Sequence, residues 1–162
     1  MPDVKTLYDQ DFVTWAEQQA EALRAAGRGT TNQPLDWENL AEEIEDLAKR
    51  DRRELHSQVR RIVEHLFELQ HSPAVEPRAG WRGSVRNARA ATQDVIDDSP
   101  SLRTEMREIF DEETKRGAQL AIAALADFGE LTEKLRAKSF LDLIHYAEDQ
   151  ILGDWFPPEP QG

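Results

Sequence analysis

Four arginines, Arg78, Arg82, Arg86 and Arg89, recur at intervals of four, four and three residues, and no acidic residue lies between Glu76 and Asp94. On a helix this spacing puts all four on one stripe. Guanidinium groups gathered without acids suit carboxylates and phosphates, and Trp81 offers a stacking plane beside them. An anionic or phosphorylated small molecule is therefore one expected ligand of Arg78, Trp81, Arg82, Arg86 and Arg89, and a partner protein is another. A plainer reading pairs the stripe inside the chain, with Glu108, Asp111 and Glu112 of the following helix at about the height of Arg86 and Arg89. We prefer the plainer reading, because exposed ion pairs are common and worth only about 0–1 kcal/mol each.

The opposite pole is Asp36 to Asp46, where Asp36, Glu38, Glu42, Glu43, Glu45 and Asp46 stand without a base among them. Acids near a helix N-terminus are favoured by its dipole, which is cause enough for the cluster. Glu42-x-x-Glu45 and Glu108-x-x-Asp111 imitate the paired carboxylates that hold magnesium in all-α nucleotide pyrophosphohydrolases, but the two halves lie too far apart in the chain. Glu68-x-x-His71 and Asp142-x-x-His145 imitate the carboxylate-x-x-His element of di-iron bundles. Helical geometry turns Glu68 away from the apolar seam of Leu66, whereas such ligands project inward. His65 and His145 flank apolar stripes and read as core-edge residues.

No phosphate loop, nucleophile elbow, H-E-x-x-H or Ser-His-Asp set is present. We expect no catalytic residues, no metal and no cofactor, with Trp15, Trp37, Trp81 and Trp155 as core anchors.

The elements that must position these residues are helical. In the first segment Phe12, Trp15, Ala16, Ala20 and Leu23 share a face, which predicts a helix from about Asp9 to Ala26 with Gly27 as its C-cap. The stretch GRGTTNQPL, residues 27–35, reads as a loop. Asp36 is the expected N-cap of a second helix, with Leu35 and Leu40 as a hydrophobic staple. From Trp37 to Gln70 apolar residues recur at steps of three and four with no Pro or Gly, predicting one long helix with a bend at most near Asp51. A third helix is marked by Trp81, Val85, Ala88, Val95 and Ile96. A fourth begins at Ser99-Pro100 and buries Met106, Ile109 and Leu120, with Gly117 permitting a close crossing. A fifth starts at Ser139, and Pro157 and Pro158 end it in an extended tail. Leu47, Ile62, Leu66 and Trp81 complete the expected core.

The fold class expected is all-α: a helical bundle of four to five helices around one long helix, with residues 1–157 as a single domain and 158–162 as an extended tail. Its 162 residues suffice for one core. Cysteine is absent, which excludes a disulfide framework, and the N-terminus carries no secretory pattern, so a cytoplasmic location is expected. A net charge of −12 repels phosphate backbones at long range and disfavours nucleic acid as a partner.

The segments YDQDFVTWAEQQAEALRAAGR, LDWENLAEEIEDLAKRDRRELHSQVRRIVEHLFELQ, GWRGSVRNAR, SPSLR and DWFP resemble domain of unknown function family 29. The resemblance runs from about Tyr8 to Pro157, and residues 131–144 depart from the family pattern. It implies an α-helical fold and a bacterial origin, and it carries no activity and no catalytic residues with it. The leading functional expectation is a non-enzymatic protein-interaction module; the alternative is an enzyme or binding domain for an anionic or phosphorylated small molecule at the Arg78–Arg89 stripe. An unidentified protein and a second copy of the chain are the expected partners, and no membrane is.

Overall fold

The structure is a computed structural model that describes residues 3–29 and 32–159. Parts of the expected loop (30 and 31) and of the expected tail (160–162) lie outside the described residues. Within them there are only helices: α1 (Val4–Gln10), α2 (Phe12–Arg28), α3 (Trp37–His71), α4 (Arg78–Asp98), a 3₁₀ helix (Pro100–Glu105), α5 (Met106–Asp127), α6 (Glu133–Arg136), α7 (Lys138–Leu143) and α8 (Glu148–Leu152). The fold is all-α around one long helix, α3. None of these helices is long and apolar enough to cross a membrane. Contacts divide the chain into two compact units, one drawn from residues up to Glu54 together with Asp94–Glu105, the other from Leu55–Gln93 and residues from Met106 onward.

In the first unit the expected single N-terminal helix is broken at Asp11, whose backbone is extended (φ −156°, ψ 94°). The break has a cause. Asp11 Oδ1 accepts from Thr14 N at 2.9 Å and from Ser101 Oγ at 2.9 Å, while Oδ2 accepts from Ser101 N at 2.6 Å. The carboxylate thus caps α2 and ties it to the 3₁₀ helix. Partial burial pushes its pKa up, but these donors outweigh that and leave it below the ordinary value. Ser99, fully buried, accepts from Val13 N at 3.1 Å through Oγ. Arg52 of α3 reaches Glu17 at 2.6 Å and Glu105 at 2.9 Å.

Gly27 lies inside α2, and Gly29 ends it. A Cβ at Gly27 would stand 2.6 Å from Trp37 Cβ, so the glycine serves a close approach and not the expected cap. Asp36 does cap α3, accepting from Asn39 N at 3.2 Å. Leu35 and Leu40 remain 50% and 42% exposed, which leaves the expected staple largely in water.

The second unit holds the larger core. Leu55, Val59, Ile62, Val63, Leu66, Phe67 and Leu69 of α3 are buried against Val85 and Ala88 of α4 and Ile109, Phe110, Ala118, Ala121 and Leu125 of α5. Gly117 permits the expected crossing, since a Cβ there would lie 2.8 Å from Arg60 O and 2.9 Å from Val63 Cβ. Leu120 is 46% exposed, contrary to expectation. The buried line of α5 runs through Ile109, Glu113, Gly117 and Ala121, and Leu120 stands about 100° away from it. Leu47 is half-buried, as is each of the four tryptophans, so these rings flank the core instead of anchoring it.

The expected fifth helix, from Ser139, is two short ones, α7 and α8, and α6 precedes them. Ala137 and Ile144 adopt extended backbone, and Ser139 lies inside α7 without capping it. Leu135, Tyr146 and Ile151 anchor this region. Tyr146 donates its hydroxyl to Gln70 Oε1 at 2.8 Å, and burial pushes its pKa up.

Candidate functional site

Helix α4 carries the arginine stripe. Gly80 and Gly83 each weaken a helix by about 1 kcal/mol relative to alanine, so packing holds this one, through Val85, Ala88 and Thr92. Arg78 is 5% exposed. It donates to Leu69 O at 2.8 Å and Ser72 O at 3.3 Å, closing the C-terminal end of α3, where a cation complements the dipole. Its Nε lies 2.7 Å from Glu159 Oε2, an ion-pair contact without hydrogen-bond alignment.

One turn on, Arg82 donates to Glu159 Oε1, and its guanidinium stands 5.9 Å from the Phe156 ring centre. Arg86 is exposed and sits 5.4 Å above the same ring. Arg89 is the most committed of the four. It donates to Ile151 O, Gln150 O and Trp155 O, each at 2.7 Å, and lies 4.9 Å from the Phe156 centre. Burial lowers its pKa, with Arg86 adding and Asp154 opposing. The stripe is therefore covered by the end of α8 and by the segment that follows it as far as Glu159.

This corrects the expected pairing with Glu108, Asp111 and Glu112. Among the described residues, no ion pair joins these acids to Arg82, Arg86 or Arg89; Glu112 pairs instead with Arg116 at 2.7 Å. Trp81 is not in the arrangement either: it lines a separate cleft with Leu125 and Phe128, and Phe156 is the ring under the guanidiniums.

Sequence reasoning missed Phe156 and Glu159. The signal was present in WFPPE, since two prolines hold the chain extended at about 3.1 Å per residue and carry an acid about 9 Å, nearly two helical turns of α4, beyond a ring. Glu159 is held below the usual carboxylate range, chiefly by the hydrogen bond from Arg82 and also by the charges of Arg78 and Arg82.

A second constellation was also missed. Glu113 has no exposed side-chain surface, yet it accepts from Arg60 Nε at 2.6 Å and Arg116 at 3.1 Å and bonds His56 Nδ1 at 2.8 Å. Burial pushes its pKa up, but Arg60, His56 and Arg116 outweigh this and leave it lowered. The sequence signal was a glutamate four residues from Ile109 and four from Gly117, inside an apolar line. His56, Glu112 and Glu113 bring potential metal-ligand atoms within 4.8 Å of one another. Two guanidiniums already on the Glu113 carboxylate supply the positive charge a metal would bring, and they oppose a second cation.

Glu68, expected to face away from the seam, is 6% exposed, and its Oε2 lies 2.7 Å from His65 Nδ1, not against His71. His71 stands against Phe67, ring centres 4.3 Å apart, and burial lowers its pKa, with the Lys134 charge adding. Asp142 and His145 line an open cleft of about 770 Å³ with Arg107, Asp111 and Lys115, where both signs of charge mix.

An α-helical protein of unknown function from Rhodospirillum rubrum is similar in structure, with a TM-score of 0.71 and 29% sequence identity over 91% of this chain and 89% of that one. Among curated proteins none matches the chain. The model of the family Domain of unknown function DUF29 matches residues 7–156, from the start of α1's last turn to the ring beneath the arginines, and the chain belongs to that family.

Proposed function

We propose that this protein is a non-enzymatic interaction module whose arginine face on α4 recognises an extended segment bearing an aromatic ring and, three residues later, a carboxylate. One observation carries the reading: the face already holds a segment of that kind, with Arg89 on the Trp155 carbonyl as well as on two carbonyls at the end of α8, Phe156 under the guanidiniums and Glu159 against Arg78 and Arg82. Carbonyl contacts hold any extended chain, whereas the ring and the acid select among chains. Arg89 in particular is aimed at neutral carbonyls, which a peptide offers and a phosphate does not. A partner protein, or a second copy of the chain presenting its own Trp155–Glu159, would bring the same chemistry.

The alternative, an anionic or phosphorylated small molecule on Arg78 and Arg82, draws on the Glu159 carboxylate alone. The two readings separate in one experiment. A synthetic peptide QILGDWFPPE is titrated into the full chain carrying Phe156→Ala and Glu159→Gln, which loosens the resident segment. The expected result is saturable binding with a Kd in the micromolar range, about −8 kcal/mol, abolished by adding Arg89→Ala. Binding of inorganic pyrophosphate without binding of the peptide would move the conclusion to the anionic ligand, and binding of neither would refute both.

A further inference from the structure

A cleft of about 500 Å³ lies beside Trp81 of α4, with Leu125 and Phe128 from the end of α5 on its walls. Phe128 is 76% exposed, an unusual position for a phenylalanine with no covering element among the described residues. The charged groups that line the cleft are all acids: Glu68, Glu76 and Glu130. Glu130 is fixed in place. Gly129, at φ 71°, reverses the chain after α5, and Glu130 Oε2 then accepts from Ser72 Oγ at 2.6 Å.

Glu68 is the buried acid of the three. Its Oε2 is engaged by His65 Nδ1 at 2.7 Å. A carboxylate only accepts, so the imidazole supplies Nδ1–H to that oxygen. Arg78, at the start of α4, is committed to the carbonyls of Leu69 and Ser72 and to Glu159. Water has little access to this carboxylate, which is 6% exposed, and low local polarity strengthens its attraction for a cation that enters the cleft. The faces of Trp81 and Phe128 attract the same sign of charge as Glu68 does.

We propose that the cleft bounded by Glu68, Trp81 and Phe128 is a binding site for a small organic ammonium ion, its charge toward Glu68 and its apolar body against Trp81, Leu125 and Phe128. The volume falls within the range of about 300–1,000 Å³ common to small-ligand sites. A bare metal ion would leave the apolar walls unused, and an anion would meet three carboxylates. The site is separate from the arginine face and stands or falls independently of it.

Calorimetric titration of the full chain with 4-phenylbutylammonium tests the site, with 4-phenylbutanol and 4-phenylbutyrate as neutral and anionic counterparts. The amine should bind saturably and about tenfold or more tightly than the alcohol, and the carboxylate should not bind. Glu68→Gln should weaken the amine about tenfold and leave the alcohol unchanged, whereas Phe128→Ala should weaken both. Phe128 is exposed enough for its variant to fold. Should Glu68→Gln fail to fold, Glu76→Gln at the cleft takes its place and should weaken the amine selectively. Equal affinity for amine and alcohol, amine binding unchanged in these variants, or binding of a lysine-containing peptide with the free amine silent would overturn the proposal.

Discussion

At Glu113 the carboxylate has no exposed side-chain surface, and its cations stand nearer to water, with Arg60 34% and Arg116 52% exposed. At Glu159 the arrangement is inverted: the carboxylate is 58% exposed and Arg78 only 6%. The difference decides what each assembly can do. Glu113 cannot regain water if its partners leave, so its contacts are locked into the fold. Glu159 can return to solvent, and Arg78 still keeps two backbone carbonyls when it does. Similar residue types therefore build a structural centre in one place and an exchangeable contact in another, and burial of the acid distinguishes them.

The contrast is tested most severely by Glu113→Gln. The loss should be about 3 kcal/mol, at the low end for breaking a buried pair because the guanidiniums keep some water. It should be read as a shift of the urea midpoint with unchanged slope. The Glu113 pKa is lowered in the folded state, so its contribution is complete above the ordinary value of 4.5 and is lost as pH falls through the folded value. Glu113→Gln should accordingly flatten the acid side of the stability curve. A loss below about 1 kcal/mol would erase the distinction.

Two glycines extend the test to the helices themselves. Gly117→Ala, against Arg60 O and Val63, should cost about 1–3 kcal/mol. Gly83→Ala on α4 meets nothing within 4 Å and should gain about 0.5–1 kcal/mol. The same substitution with opposite signs in thermal melts would place the rigid crossing at α5 and the spare freedom in α4; equal signs would deny it.

The smallest effect belongs to Glu159→Gln, which should leave the urea midpoint unchanged. Its pKa too is lowered, so the tail contact is complete above 4.5 and weakens as pH falls through the folded value. Tryptophan emission should report this as an acid transition that disappears in Glu159→Gln and in Trp155→Phe. A transition that survives Glu159→Gln would mean that the carboxylate does not hold the segment.

Much of the frame was legible before the structure. Helix α3 runs from Trp37 to His71 as expected from its unbroken three- and four-residue steps, and Asp36 caps it. What failed was neighbour choice. Periodicity tells which side of a helix is apolar but not which segment covers the other side, so the arginines were matched to acids of the next helix when their partners lie some 60 to 80 residues on. Residues 131–152 are no poorer in apolar positions than the rest of the chain, but they also carry several capping residues, and three- and four-residue steps do not show where such a stretch breaks, so one helix and several short ones read alike. Leu120 misled for a related reason: an apolar residue outweighed Glu113 in the reading of α5, although Glu113 occupies the buried line.

Trp155–Glu159 on the arginine face are joined to α8, whose end Arg89 holds against that face, by only Gly153 and Asp154. A short flexible tether of this kind corresponds to a local concentration on the order of millimolar. A free segment with identical contacts, present at about a micromolar, would therefore displace it in roughly one molecule in a thousand. An incoming chain must bind about a thousandfold more tightly than the resident one to occupy half of the molecules at that concentration. The face thus answers to a threshold set by the length of its own tether, and lengthening the link after Gly153 should lower that threshold without altering a single contact.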